Sequence, residues 1–279
     1  MTTSIALQNL HSEGTEGLRH RTNQASNHEA EDHELTIDLS SPSALSTPTF
    51  TPTHTLWLTP HSMFTKSIPI LDLTPTLNSS NVPYTSFDSA YKAAVKSALK
   101  DHAHVPRYIC KRENWMGLRW AVTAQNAEEN EVVVANWKHP WSSVGEALLS
   151  FPEGSPHSSH EITLKNKVWG LRTETFVLNS VPYEWRMESL LHSHEMALYK
   201  IFPSISTLGS VNRGNERKTV VARYSQKWWG GFVTGGVVVV DSKEVDVLVA
   251  VLTLAVVLKK KRQRAAERGG GGGNGGGGE

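Results

Sequence analysis

Two groups of residues in this chain have the types and spacing that chemistry requires. The first is histidine-based. His192 and His194 stand at i, i+2 in His192-Ser193-His194-Glu195, and His157 and His160 lie in a polar stretch upstream. On a strand, residues two apart share one face, so this pair could give two imidazoles to a metal, with a third from upstream. A metal site also needs further partners and supporting hydrogen bonds. Exposed loop histidines are the plainer reading, and the same holds for His102 and His104.

The second group is a basic cluster of Lys259, Lys260, Lys261, Arg262 and Arg264, with Arg268 beyond it. Cations at a helix C-terminus are favoured by the helix dipole, by a few tenths to about 1 kcal/mol each. The same residues would meet an anionic lipid surface at about 1 kcal/mol per basic side chain, or act as a nuclear-import signal.

Other chemistries lack their residues. Gly209-Ser210-Val211-Asn212-Arg213-Gly214 has neither phosphate-loop spacing nor a following Lys-Ser or Lys-Thr. No Gly-x-Ser-x-Gly elbow occurs, and Cys110 sits in an ordinary strand pattern, where a small buried side chain is expected before a nucleophile. With one cysteine, the chain forms no internal disulfide and no thiolate-rich zinc site. The 28 basic and 27 acidic residues nearly cancel to a net charge of +1, so no nucleic-acid partner is expected. No cofactor motif is found. The opening Met1-Thr2-Thr3-Ser4-Ile5-Ala6-Leu7-Gln8 has no basic region and no apolar core of signal-peptide length. A reducing, cytoplasmic setting is the expectation, with a peripheral-membrane or nuclear location as variants of it.

Three regions would position these residues. Residues 1–52 are rich in Ser, Thr, Asn, His and Glu without apolar periodicity, which predicts a disordered polar arm. From His54 onward, short β-type runs alternate with Pro, Gly, Asn and charged breaks. The expected strands are 54–58, 67–71, 107–111, 117–123, 131–138, 146–150, 161–165, 173–178, 182–187, 196–201, 218–224 and 232–240. One amphipathic helix, 88–102, interrupts them as an insertion spanning about 86–103, with Tyr91, Val95, Ala98 and Leu99 on its apolar side. A glycine-rich tail, 267–279, closes the chain.

Between the last strand and the tail, Asp241-Ser242-Lys243-Glu244 has the form of a capping box, and Val245 to Leu258 is apolar on nearly every side. At roughly 1.5 Å per residue that run spans about 21 Å, against the about 20 apolar residues that a bilayer core requires. It is short for a span and contains Asp246, so no transmembrane crossing is expected. A tail anchor built from 245–258 is the alternative. A helix apolar all round must be covered all round. The economical solution is a mainly β fold, a closed antiparallel barrel of about twelve strands around a central C-terminal helix, covering 53–266. Nine tryptophans would fill such a barrel or sit at its rim; Trp228 and Trp229 are neighbours, so one of their rings would face outward.

Val220-Val221-Ala222-Arg223-Tyr224, Trp228-Trp229-Gly230-Gly231-Phe232 and the strand and helix of Val237 to Leu258 resemble the tubby C-terminal-like fold. That fold is shared by tubby-like proteins, phospholipid scramblases and the plant LURP-one-related proteins, and the resemblance is one of layout. It implies a non-enzymatic binding module for anionic phospholipid headgroups or a protein partner. Lys259 to Arg264 are the expected contact. No lipid- or calcium-binding motif of the family can be placed on this chain. A metal-dependent enzyme is the remaining alternative.

Overall fold

The computed structural model describes residues 49–62, 64–101, 105–125, 130–139, 145–166, 173–188, 194–202, 217–226 and 234–269, without the side chains of Asp101 and 264–269. The expectations for the arm up to residue 48, the tail from 270, His102, His104, His192, Trp141, Trp169, Trp228 and Trp229 lie outside these residues.

Twelve strands form in chain order: β1 (His54–His61), β2 (Ser67–Asp72), β3 (Pro106–Arg112), β4 (Arg119–Gln125), β5 (Glu131–Lys138), β6 (Ala147–Ser150), β7 (Ile162–Asn166), β8 (Thr173–Leu178), β9 (Val181–Met187), β10 (Glu195–Phe202), β11 (Arg217–Gln226) and β12 (Thr234–Val240). Each pairs antiparallel with its neighbours in sequence, and β1 pairs with β12 to close the barrel. Among the described residues three helices accompany them, α1 (Thr74–Ser79), α2 (Ser89–Asp101) and α3 (Val247–Gly269). The expected 88–102 helix is α2. The short α1 in the same β2–β3 connection was not foreseen, because Pro75 and its polar neighbours read as a loop.

α3 fills the barrel. Val249 to Leu258 are buried without interruption, Thr253 included, and the core around them draws buried side chains from all twelve strands. A polar tie crosses this core: Trp185 Nε1–H donates to Thr253 Oγ1 at 2.9 Å, and that hydroxyl donates in turn to Val249 O at 2.8 Å. The run expected either to span or to be enclosed is therefore enclosed. No helix among the described residues is long and apolar enough to cross a membrane.

The helix start differs from the capping-box expectation. Asp246 Oδ1 accepts the Val249 N–H at 3.0 Å and caps α3. Asp241 instead shapes the preceding turn, its Oδ1 accepting from Lys243 N–H and its carbonyl from Glu244 N–H. The acid read as an interruption of the apolar run is thus its first boundary, since a carboxylate three residues ahead of a free N–H is the better cap.

A second apolar layer lies outside the barrel. Leu73, Leu77, Phe87, Tyr91, Val95 and Ala98 of the β2–β3 connection pack on Val237 and Val239, with Phe50 and Trp57 at the margin. All seven residues of β12 are buried because α3 covers one face and α2 helps cover the other, which explains the four-valine run. Phe50 stacks edge-on to Tyr84 and Thr51 Oγ1 donates to Asp241, so the packed body begins slightly before residue 53.

Packing is close where β12 meets β1. A Cβ on Gly235 would stand 2.6 Å from Pro60 Cα. Gly235→Ala is therefore expected to cost about 1–3 kcal/mol, the range of overpacking in a filled core, read as a lower urea midpoint with an unchanged denaturant slope.

Candidate functional site

The chain leaves the barrel through one open end, ringed by the β1–β2, β3–β4 and β5–β6 loops, and there the basic cluster meets backbone. Lys259 Nζ donates to Gly117 O in the β3–β4 loop, Lys260 Nζ to Gly145 O in the β5–β6 loop, and Arg262 Nη1 to His61 O at the end of β1, the last at 3.1 Å. Carbonyls at strand ends have left the ladder and need donors. Three cations within one turn of α3 supply them to three different hairpins.

Lys260 goes deepest. It is 4% exposed and forms an ion pair with Glu174, 3% exposed, from β8. Glu174 shares its strand face with the inward residues Phe176 and Leu178. A carboxylate there requires a cation inside the barrel. Lys259 lies over the Trp120 ring, 4.2 Å from its centroid, and Trp120 stacks on its cross-strand partner Trp137 at 5.1 Å. Burial first, and Arg112 second, bring the Lys259 ammonium down to about 7, while the ring face works in the opposite direction. Burial also lowers His61, and brings His139 down to about 4 with Lys259 as the next cause.

Of the residues expected to contact lipid, then, Lys259 and Lys260 face inward and hold loops, and Arg262 holds the end of β1. Lys261 is half-buried, and Arg264 lies on α3 with its side chain outside the described set.

The loops held in this way carry an unforeseen feature. Phe64 on the β1–β2 loop is 80% exposed, and Trp115 and Met116 on the β3–β4 loop are 85% and 41% exposed. The two loops are neighbours around the barrel because β2 pairs with β3. Each is built to project. Thr65 N–H donates to Ser62 O, and Ser62 N–H to Thr65 Oγ1 at 2.7 Å, which turns the chain under Phe64. Asn114 Oδ1 accepts from Leu118 and Arg119 N–H, and Gly117 takes φ +68°, which lifts Trp115 and Met116 outward.

The other large apolar residues with high exposure, Val105, Val132, Val133 and Val177, lie at the opposite end or on the flank. Around the three tips stand the exposed Lys66 and Arg119 and the half-buried Arg112 and Arg262, with Glu113 the one acid on the two loops. The Asn-Trp-Met-Gly run is a sequence signal for this: large apolar residues inside a turn have no strand face on which to be buried.

The described histidines of the expected metal set, His157, His160 and His194, are not brought together. His157 is buried in the β6–β7 loop beside Phe151, with Nε2 3.6 Å from Asp246 Oδ2, at the end where α3 begins. His160 and His194 are exposed, the latter at the helix-exit end. No grouping of three or more His, Cys, Asp or Glu suited to a metal occurs among the described residues. Cys110 is fully buried, and burial pushes its thiol up to about 12, unsuited to nucleophilic attack at neutral pH. No protein-family model matches this chain, and no curated protein and no solved structure matches it.

Two outcomes test the inward roles of the lysines. Glu174→Gln leaves a buried ammonium without its charge partner and is expected to cost about 3–5 kcal/mol in chemical denaturation, most of it recovered when Glu174→Met is combined with Lys260→Met. For Lys259, the folded value near 7 lies below the ordinary 10.5, so the unfolded chain binds more protons between them. Stability from this group therefore increases as pH rises from about 7 toward 10. Urea midpoints at pH 7 and 9 should show that increase reduced in Lys259→Met.

Proposed function

We propose that this protein is a non-enzymatic module that docks on anionic membrane surfaces through the end of the barrel from which α3 emerges. The observation that carries the reading is the grouping of Phe64, Trp115 and Met116 at the tips of two adjacent loops, with Lys66, Arg112, Arg119 and Arg262 around them. An apolar wedge inside a cationic ring matches the two layers of an anionic bilayer surface. The rings enter the headgroup boundary and the cations stay with the phosphates.

Burying each large apolar tip is worth about 1.5–3 kcal/mol, and each nearby cation adds about 1 kcal/mol on an anionic leaflet. Three tips and several cations together suffice for reversible adhesion. The filled barrel supports surface binding over an internal ligand, since α3 occupies the lumen. The closed twelve-strand order around that helix also supports a tubby C-terminal-like type of fold.

The test is co-sedimentation with vesicles. Phosphatidylcholine vesicles containing phosphatidylserine are expected to pellet the protein, and vesicles of phosphatidylcholine alone to pellet it far less. Phe64→Ser combined with Trp115→Ser should lower the partition coefficient by more than tenfold. Lys66→Gln with Arg119→Gln should reduce binding to the anionic vesicles alone and weaken its salt dependence. Unchanged pelleting of the Phe64/Trp115 variant would exclude this face as the contact.

A further inference from the structure

The barrel is closed, but one of its seams is zipped only in part. β7 has 5 residues and β8 has 6, yet among the described residues they pair only as Lys165 with Thr175 and Asn166 with Glu174. In the same register Leu164, Thr163 and Ile162 would face Phe176, Val177 and Leu178, and no pairing forms there. The strands part toward the end where α3 begins: Glu174, in the paired half, meets Lys260, whereas Tyr183, the β9 partner of Phe176, donates to Glu244 O just ahead of α3. A cleft of about 650 Å³ lies in the parting, with Glu161 and Thr163 on one side and Val177, Asn179 and Pro182 on the other.

Both lips are held from behind. β6 pairs with β7 along Ile162 to Leu164, and β8 pairs with β9 along its whole length, up to a tight turn at Asn179 and Ser180, both at positive φ. What the cleft leaves open is backbone. The Thr175 hydroxyl donates to Lys165 O at 3.3 Å, so the Lys165 carbonyl is on the β8 side, and Thr163, two residues back, turns its N–H and C=O the same way. Val177 lies opposite Pro182, which has no N–H to give, so the backbone groups of Val177 turn toward β7. Two facing strand edges without ladder partners are a template for a further strand.

We infer that this cleft receives an extended, uncharged peptide segment of a partner protein, added to the sheet between β7 and β8, with aliphatic side chains at alternate positions. Only polypeptide backbone offers donors and acceptors at the spacing of both edges. The inward side chains of the segment continue the row of Leu164 and Phe176, both buried, and are therefore apolar. The outward ones lie beside Thr163 and Val177, the latter 53% exposed. The rim favours neither sign of charge, since Glu161 is paired with Lys138 at 3.3 Å and Lys165 with Glu146 at 3.5 Å. This cleft is at the other end of the barrel from Phe64 and Trp115 and stands whether or not they meet a bilayer.

Hydrogen exchange of the full chain, read by NMR, and anisotropy of a labelled peptide are the experiments. In the free protein the amides of Thr163 and Val177 should exchange at least tenfold faster than those of Leu164 and Phe176, which the ladders to β6 and β9 hold. The blocked pentapeptide Thr-Leu-Thr-Val-Thr should bind saturably, about one per chain, and slow exchange at both open amides. Its analogue N-methylated at Leu and Val keeps the side chains, loses two donors and should bind about fivefold more weakly or worse.

Val177→Pro removes a cleft-facing N–H and spares the ladder to β9; it should weaken the peptide at least tenfold and leave vesicle pelleting unchanged. Absence of saturable binding, equal binding of the N-methylated peptide, or protection of Thr163 and Val177 already in the free chain, by another part of it or by a second copy, would each overturn the inference. The exchange and anisotropy readings involve no vesicles, so they separate this inference from membrane docking.

Discussion

Everything in this fold follows from a helix that cannot touch water on any side. Val249 to Leu258 of α3 are buried all round. Each valine or leucine among them is worth about 1.5–3 kcal/mol when removed from solvent. A flat sheet covers one side of a helix and leaves the rest wet. Closing the sheet solves two problems together, because the helix gains a complete sleeve and the strands lose their exposed edges. The pairing of β1 with β12 is the seam of that sleeve, and Gly235 is glycine because the two backbones approach so closely there.

An apolar plug in an apolar sleeve has little to stop it sliding or turning. Polar ties supply the register. Trp185 and Thr253 meet in the middle, Asp246 caps the entrance, and Lys260 meets Glu174 near the exit. A buried ion pair is seldom a net gain over well-packed apolar residues, but it penalises every arrangement in which the charges are apart. Lys259 and Arg262 extend the same logic to the rim, where their loops present Phe64, Trp115 and Met116. The inner framework and the outer surface are thus joined by side chains from one helical turn.

Much of the scaffold was legible beforehand. Short β-type runs between Pro, Gly, Asn and charged breaks located all twelve strands, and the all-round apolar run with its length limit implied closure around a helix. What escaped depended on partners distant in sequence. The basic cluster read as an outward patch because nothing local shows that Lys260 is still inside the sleeve; the clue was Glu174, a carboxylate of the same parity as Phe176 and Leu178. The long aliphatic stems of lysine let a charged head reach past the end of an apolar core, so a helix can leave its apolar stretch before it leaves the barrel. Asp246 was taken as a flaw in the run because capping depends on where the chain turns, and Asp241 offered a similar pattern a few residues earlier.

The seam also governs the order in which the molecule can be made. β1 leaves the ribosome well before β12 and α3, and the contact between Thr234 and His61 spans 173 residues. Until then the growing sheet has two open edges and an inner face with nothing to rest on. Long-range closure of this kind is slow and leaves apolar surface open to aggregation. A nascent chain of this protein must therefore be shielded until its last helix arrives, and a truncation that removes α3 would yield an insoluble sheet in place of a weakened barrel.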